Sequence, residues 1–138
     1  MNVLFEEYSS EVQFLLVYIR EAHATDGDSP MPLGPLVEEP ITLEERDALA
    51  STCVTELGLD KIPAVLDRID NAVNTRYDAH PDRLYLVGLD GRVTYAGGRG
   101  PAGFSPSELE LAIIEELSLI ADKQSHAQSE AKKREVKK

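Results

Sequence analysis

Three observations predict an α/β fold in which a sheet of mixed strand direction is covered by helices. Leu15–Ile19 is a short aliphatic and aromatic run with β-branched members, bounded by turn residues, and such runs read as buried strands. Arg83–Val87 and Arg92–Ala96 flank Asp90 and Gly91, a dipeptide that favours a tight hairpin turn. Helices with legible starts separate these strands and follow them, an alternation that lays helices against a sheet.

The elements follow in order. Asn2–Tyr8 is expected to form a short amphipathic helix, because Leu4, Phe5 and Tyr8 share one face. A strand over about Val12–Arg20 comes next. Glu21–Ile41 reads as a long loop in which Pro30, Pro32, Gly34, Pro35 and Pro40 break any regular element. Loops of that length in compact domains serve as lids or binding loops, or stay disordered. Thr42–Leu57 is expected to be a helix, with Thr42 capping the first turn, Glu45 reaching back as its partner, and Gly58 ending it. Pro63 and Ala64–Leu66 give a second strand, and Asp70–Tyr77 a short helix. After the hairpin, the turn-rich Gly97–Phe104 leads to a last helix with Ser105 as cap, Pro106 in the first turn and Glu108 three residues beyond the cap. Leu109, Ala112, Ile113, Leu117 and Ile120 keep helical spacing and should pack on the sheet. An order that ends in a hairpin and a helix suits a thioredoxin-like layout.

The 138 residues suit one domain, expected over 1–121, followed by a charged tail, 122–138, that reads as a frayed helix or disordered. The tail carries six basic residues against three acidic ones, so the body is more acidic still than the whole chain's net charge of −11. That acidity argues against nucleic acid as a partner, since binding it requires neutralising phosphates. There is no long uncharged apolar run and no cationic, then apolar, amino terminus, so neither a membrane span nor a secretory signal is expected, and the reading is cytoplasmic. The single cysteine, Cys53, excludes dithiol chemistry within the chain, and no Cys/His cluster has metal-ligand spacing. Leu49, Cys53 and Leu57 recur every four residues, which places Cys53 toward the core as an inert thiol.

The segment YIREAHATDG, Tyr18–Gly27, sets Glu21, His23 and Asp26 just past the first strand. In open α/β sheets, ligands bind at the carboxyl ends of strands. A histidine titrating near neutrality between two acids suits proton transfer there, and the bland alternative is a loop histidine bonded to local backbone. Arg99, in the GGRGP turn, and Arg83 are possible clamps for a carboxylate, Arg83 alternatively pairing with Asp78 or Asp82. The GGRG segment lacks the lysine and hydroxyl residues of a phosphate loop, so its glycines read as serving positive φ.

YIREAHATDG, then IPAVLDRIDNAVNTRY (Ile62–Tyr77), then PDRLYLVGLDGRVTYAGGRGPAGFSPSELE (Pro81–Glu110), together resemble the iodothyronine deiodinase family, a thioredoxin-fold branch with many bacterial members. The likeness runs from about Asn2 to Leu117. It implies an oxidoreductase that removes iodide reductively from an aromatic ring with a cysteine or selenocysteine. It implies no bound cofactor, an external thiol as reductant, and a small aromatic substrate, possibly iodinated. It makes His23 a catalytic residue with Glu21 and Asp26 as supporting acids. Arg99, Arg83 and Pro81 become substrate-binding, Pro81 lying near where thioredoxin-like proteins place a cis-proline, although trans is the default for an isolated X-Pro bond. The family's nucleophile follows an initial, central strand that precedes the first helix of this chain. The expectation is therefore that this strand and the nucleophile are missing, and that the chain alone is inactive. The family also commonly carries aromatic residues where this chain has Asp28 and Ala102. A noncatalytic thioredoxin-like module that holds a ligand or partner is the alternative.

Overall fold

The computed structural model describes residues 1–31 and 36–135. Of the segments read above, Pro32, Gly34 and Pro35 of the long loop and residues 136–138 of the charged tail lie outside the described residues. The chain divides into two compact units, Met1–Arg83 with Gly98–Phe104, and Leu84–Gly97 with the segment that starts at Ser105.

The first unit begins with α1, Asn2–Tyr8. The backbone N–H groups of Glu11 and Val12 both donate to the Tyr8 carbonyl, so the helix end continues as a turn through Val12. The strand is therefore shorter than the predicted Val12–Arg20: β1 is Leu16–Tyr18. Leu4 is buried, Phe5 meets Phe14 edge to face at 5.6 Å, and the Asn2 amide donates to the Gly58 carbonyl. β1 pairs in parallel with β2, Ala64–Leu66, with Leu16 opposite Ala64 and Tyr18 opposite Leu66. Between them, α2 spans Leu43–Glu56.

The start of α2 is the predicted capping box. The Thr42 hydroxyl accepts from the Glu45 N–H, and the Glu45 carboxylate accepts from the Thr42 N–H. Arg46 and Ala50 are the buried positions of α2, and Cys53 is half-buried on the same face. Leu57, expected on that face, is 63% exposed, because the helix ends there and Gly58 turns away with φ of 63°. α3, Ala72–Tyr77, starts later than the expected Asp70, since Asn71 takes a left-handed conformation before it.

In the second unit, β3, Tyr85–Val87, pairs antiparallel with β4, Val93–Ala96. Gly88 N–H closes the hairpin loop on the Arg92 carbonyl, and Gly91 takes a positive φ of 78°. The register shifts between Leu86 and Val87, leaving Thr94 as the extra residue of a bulge, a feature that bends and twists a strand. α4 is capped as predicted, with Glu108 N–H on the Ser105 hydroxyl, and it packs on β3 and β4, with Leu109 and Ile113 its buried residues. It runs Pro106–Glu135, so the charged segment after Asp122 is helical as far as it is described, with its described side chains exposed. Among the described residues the strands thus form one parallel and one antiparallel two-stranded ladder. Among the described residues, no helix is long and apolar enough to cross a membrane.

Candidate active site

The candidate catalytic residues leave the carboxyl end of β1. The Tyr18 hydroxyl, on the last residue of the strand, donates to the Glu21 carboxylate. Burial, and then the charge of Glu39, raise the Glu21 carboxyl above the ordinary carboxylate range, with Arg46 and His23 opposing the shift. His23 is exposed and its Nδ1 lies 2.9 Å from the Ser29 carbonyl oxygen. Asp26 turns to the backbone, its Oδ1 accepting from the Glu39 N–H at 2.8 Å. The three side chains come from one short segment but do not hydrogen-bond one another.

What the sequence reading missed lies beneath them. Arg46 and Asp67 are wholly buried, at 0% exposure. One Arg46 terminal nitrogen donates to the carbonyls of Asp67 and Arg68, at 3.3 and 2.7 Å, and the other to Glu39 Oε1 at 2.9 Å. Glu39 Oε2 accepts from the Glu21 N–H at 2.8 Å. The Asp67 carboxylate accepts three backbone N–H groups, those of Arg68, Val73 and Asn74, at 2.8, 2.9 and 2.7 Å. It therefore fixes the turn from β2 into α3. One signal pointed to Arg46: it precedes Ala50 by four residues and Cys53 by seven, on the face of α2 read as apolar.

Arg83 and Arg99 meet on one carboxylate. Asp78 receives Arg83 Nη1 at 2.9 Å and Arg99 Nη2 at 2.7 Å, and the Asp78 carbonyl receives Arg83 as well. The sequence allowed Asp78 as a partner for Arg83, but nothing local paired it with Arg99. Pro81 lies between Asp78 and Arg83 in the chain, and the His80–Pro81 bond is cis, where trans was the default; Gly100–Pro101 is cis too. The glycines of the GGRGPAG turn do not adopt positive φ. They permit close approach instead: a Cβ on Gly103 would fall 2.4 Å from the Gly98 carbonyl carbon.

Cys53 is a poor nucleophile. Burial, then the charges of Glu21 and Glu56, push its thiol above the ordinary range and hold it protonated. No group of His, Cys, Asp and Glu among the described residues could hold a metal ion.

Comparison with known proteins supplies the context for this geometry. The profile of iodothyronine deiodinases matches residues 1–117. The chain belongs to the iodothyronine deiodinase family. With that family it is thioredoxin-like, in agreement with the mixed α/β architecture. The thyroxine 5-deiodinase of Ovis aries is 37% identical over 110 residues, covering 77% of this chain and 35% of its own. That of Sparus aurata is 39% identical over 103 residues, covering 75% and 38%. The type I iodothyronine deiodinase of Xenopus laevis is 34% identical over 108 residues, covering 78% and 41%. The chain thus spans between about a third and two fifths of the length of these deiodinases.

Proposed function

We propose that this chain supplies the histidine wall of a site for reductive removal of iodine from an iodinated phenol, with iodothyronines as the substrate class. The state of His23 carries the reading. The Ser29 carbonyl can only accept a hydrogen bond, so Nδ1 is the protonated ring nitrogen. With Nδ1 so engaged, the neutral form of the exposed His23 offers Nε2 as an acceptor at the carboxyl end of β1.

An acceptor there takes the proton of an attacking thiol or selenol. The resulting anion draws off the iodine, the carbon–iodine bond breaks with its electron pair left on carbon, and the imidazolium returns the proton to form the carbon–hydrogen bond. Two external thiols then release iodide and become a disulfide. Glu21, its carboxyl raised by burial and by the charge of Glu39, is the neighbouring acid. Arg83 and Arg99, brought side by side by their shared partner Asp78, are the pair that would exchange that carboxylate for one on the substrate. Support for the substrate class comes from the names of the relatives, thyroxine 5-deiodinase and type I iodothyronine deiodinase.

The nucleophile in this reading is not Cys53. A chain that binds without turning over is the second reading, and the raised Cys53 thiol favours it for these residues taken alone. The test is calorimetric titration of thyroxine into the purified chain, with iodide release followed in dithiothreitol. Saturable binding, weakened about tenfold or more by His23→Ala, roughly the loss of one good hydrogen bond, supports the proposal. Absence of binding overturns it. Thiol-dependent iodide release that Cys53→Ser abolishes would overturn the exclusion of Cys53.

A further inference from the structure

We propose that Arg46 and Glu39 form a buried latch that positions His23 without touching it. The inference rests on the reading of His23 as the group that meets the substrate. The backbone on each side of His23 is held by the returning arm of the loop. The Glu21 N–H donates to the Glu39 carboxylate at 2.8 Å, and the Thr25 N–H donates to the Val37 carbonyl at 2.8 Å. The Thr25 hydroxyl adds a second bond to Val37, and Asp26 holds the Glu39 N–H. His23 sits between these two ties, and Ala24 beside it is buried.

Glu39 is the residue on which the ties converge. Its carboxylate is three-quarters buried, and its second oxygen is bound by the wholly buried Arg46. The same guanidinium grips the carbonyls of Asp67 and Arg68 at the end of β2. Arg46 therefore joins the His23 loop to the strand that pairs with β1, and it does so by three bonds from two nitrogens in a fixed fork. Removing one partner of a buried pair leaves the other charge uncompensated. The loop base cannot shift without that cost.

Glu39→Gln tests the latch selectively. An amide oxygen can accept from Glu21 or from Arg46, but the amide N–H group then confronts the other donor. The main readout is the ring 15N spectrum of His23, which reports the Nδ1-protonated fraction, with thyroxine affinity as the second. Asp26→Ala, an exposed change that frees only the Glu39 N–H, serves if Glu39→Gln does not fold. Ile62→Val, in the buried core, is the control for a general loss of stability. The expected result is that Glu39→Gln lowers the Nδ1-protonated fraction, that Asp26→Ala lowers it less, and that Ile62→Val leaves it alone. Thyroxine affinity should fall at least about fivefold in Glu39→Gln, the scale of one misplaced polar contact. An unchanged His23 spectrum in both loop variants overturns the latch, as does an equal change in Ile62→Val. Failure of the parent chain to bind thyroxine would overturn the functional reading alone, since the His23 spectrum still decides the latch.

Discussion

Replacing Asp67 with alanine should be among the most damaging single changes in the first unit. Its carboxylate is wholly buried and accepts three backbone N–H groups, at 2.7 to 2.9 Å, from the turn between β2 and α3. Hydrogen bonds to a charged group contribute about 1.5–3 kcal/mol each, so the gross loss is on the order of 5–9 kcal/mol. Two effects reduce it: the buried charge no longer has to be desolvated, and water can reach the freed N–H of the exposed Arg68. A net loss of roughly 3–5 kcal/mol remains, a large share of the ~5–15 kcal/mol that holds a domain folded. Asp67→Asn should cost about half as much, because one oxygen survives while the amide N–H group opposes a backbone donor. Urea denaturation followed by circular dichroism gives the global figure, and hydrogen exchange at Val73 and Asn74 the local one. Asp67→Ala within about 1 kcal/mol of the parent, with Val73 and Asn74 still protected, would refute the reasoning.

Three further outcomes are expected. Thr42→Ala removes one half of the capping box of α2 and should cost about 1 kcal/mol in the same denaturation experiment. Glu21 has a raised carboxyl pKa in the folded chain, so the folded state holds its proton in a pH window where the unfolded chain has lost it. Its contribution to stability is thus greatest below the ordinary carboxylate pKa and falls as pH rises through the raised value. Glu21→Gln should therefore stabilise the chain at pH 7 relative to the parent and lose that advantage in acid, as measured by denaturation across pH. Cys53 should react with iodoacetamide more slowly than a free thiol at neutral pH, and its rate profile should rise only above the ordinary thiol range, because its charged form is disfavoured by burial and by Glu21 and Glu56.

How much of this was legible in the sequence depends on the range of the interaction. The Thr42–Glu45 box and the Ser105–Glu108 cap are settled within four residues, and both formed where the sequence placed them. The α4 face of Leu109 and Ile113 was legible for the same reason, since helical spacing is a local property. The loop Glu21–Ile41 was read as structureless from its prolines, yet its two arms are tied through Thr25 and Val37 and through Asp26 and Glu39. Those ties span 12 and 13 positions, and no local pattern encodes them. Arg46, Glu39 and Asp67 were missed because a buried charge looks in sequence like any solvated one until its partners are known. His23, Glu21 and Asp26 could be singled out because a strand end is a recognisable address, but the direction each side chain takes depends on the same distant partners.

The most direct test of the account is to titrate thyroxine into chain labelled with 15N at histidine and follow His23, His80 and His126. The account predicts a saturable shift of the His23 Nε2 resonance with Nδ1 still protonated, and an affinity lowered by His23→Ala. Saturable binding that leaves His23 unmoved, or that His23→Ala does not weaken, would contradict it.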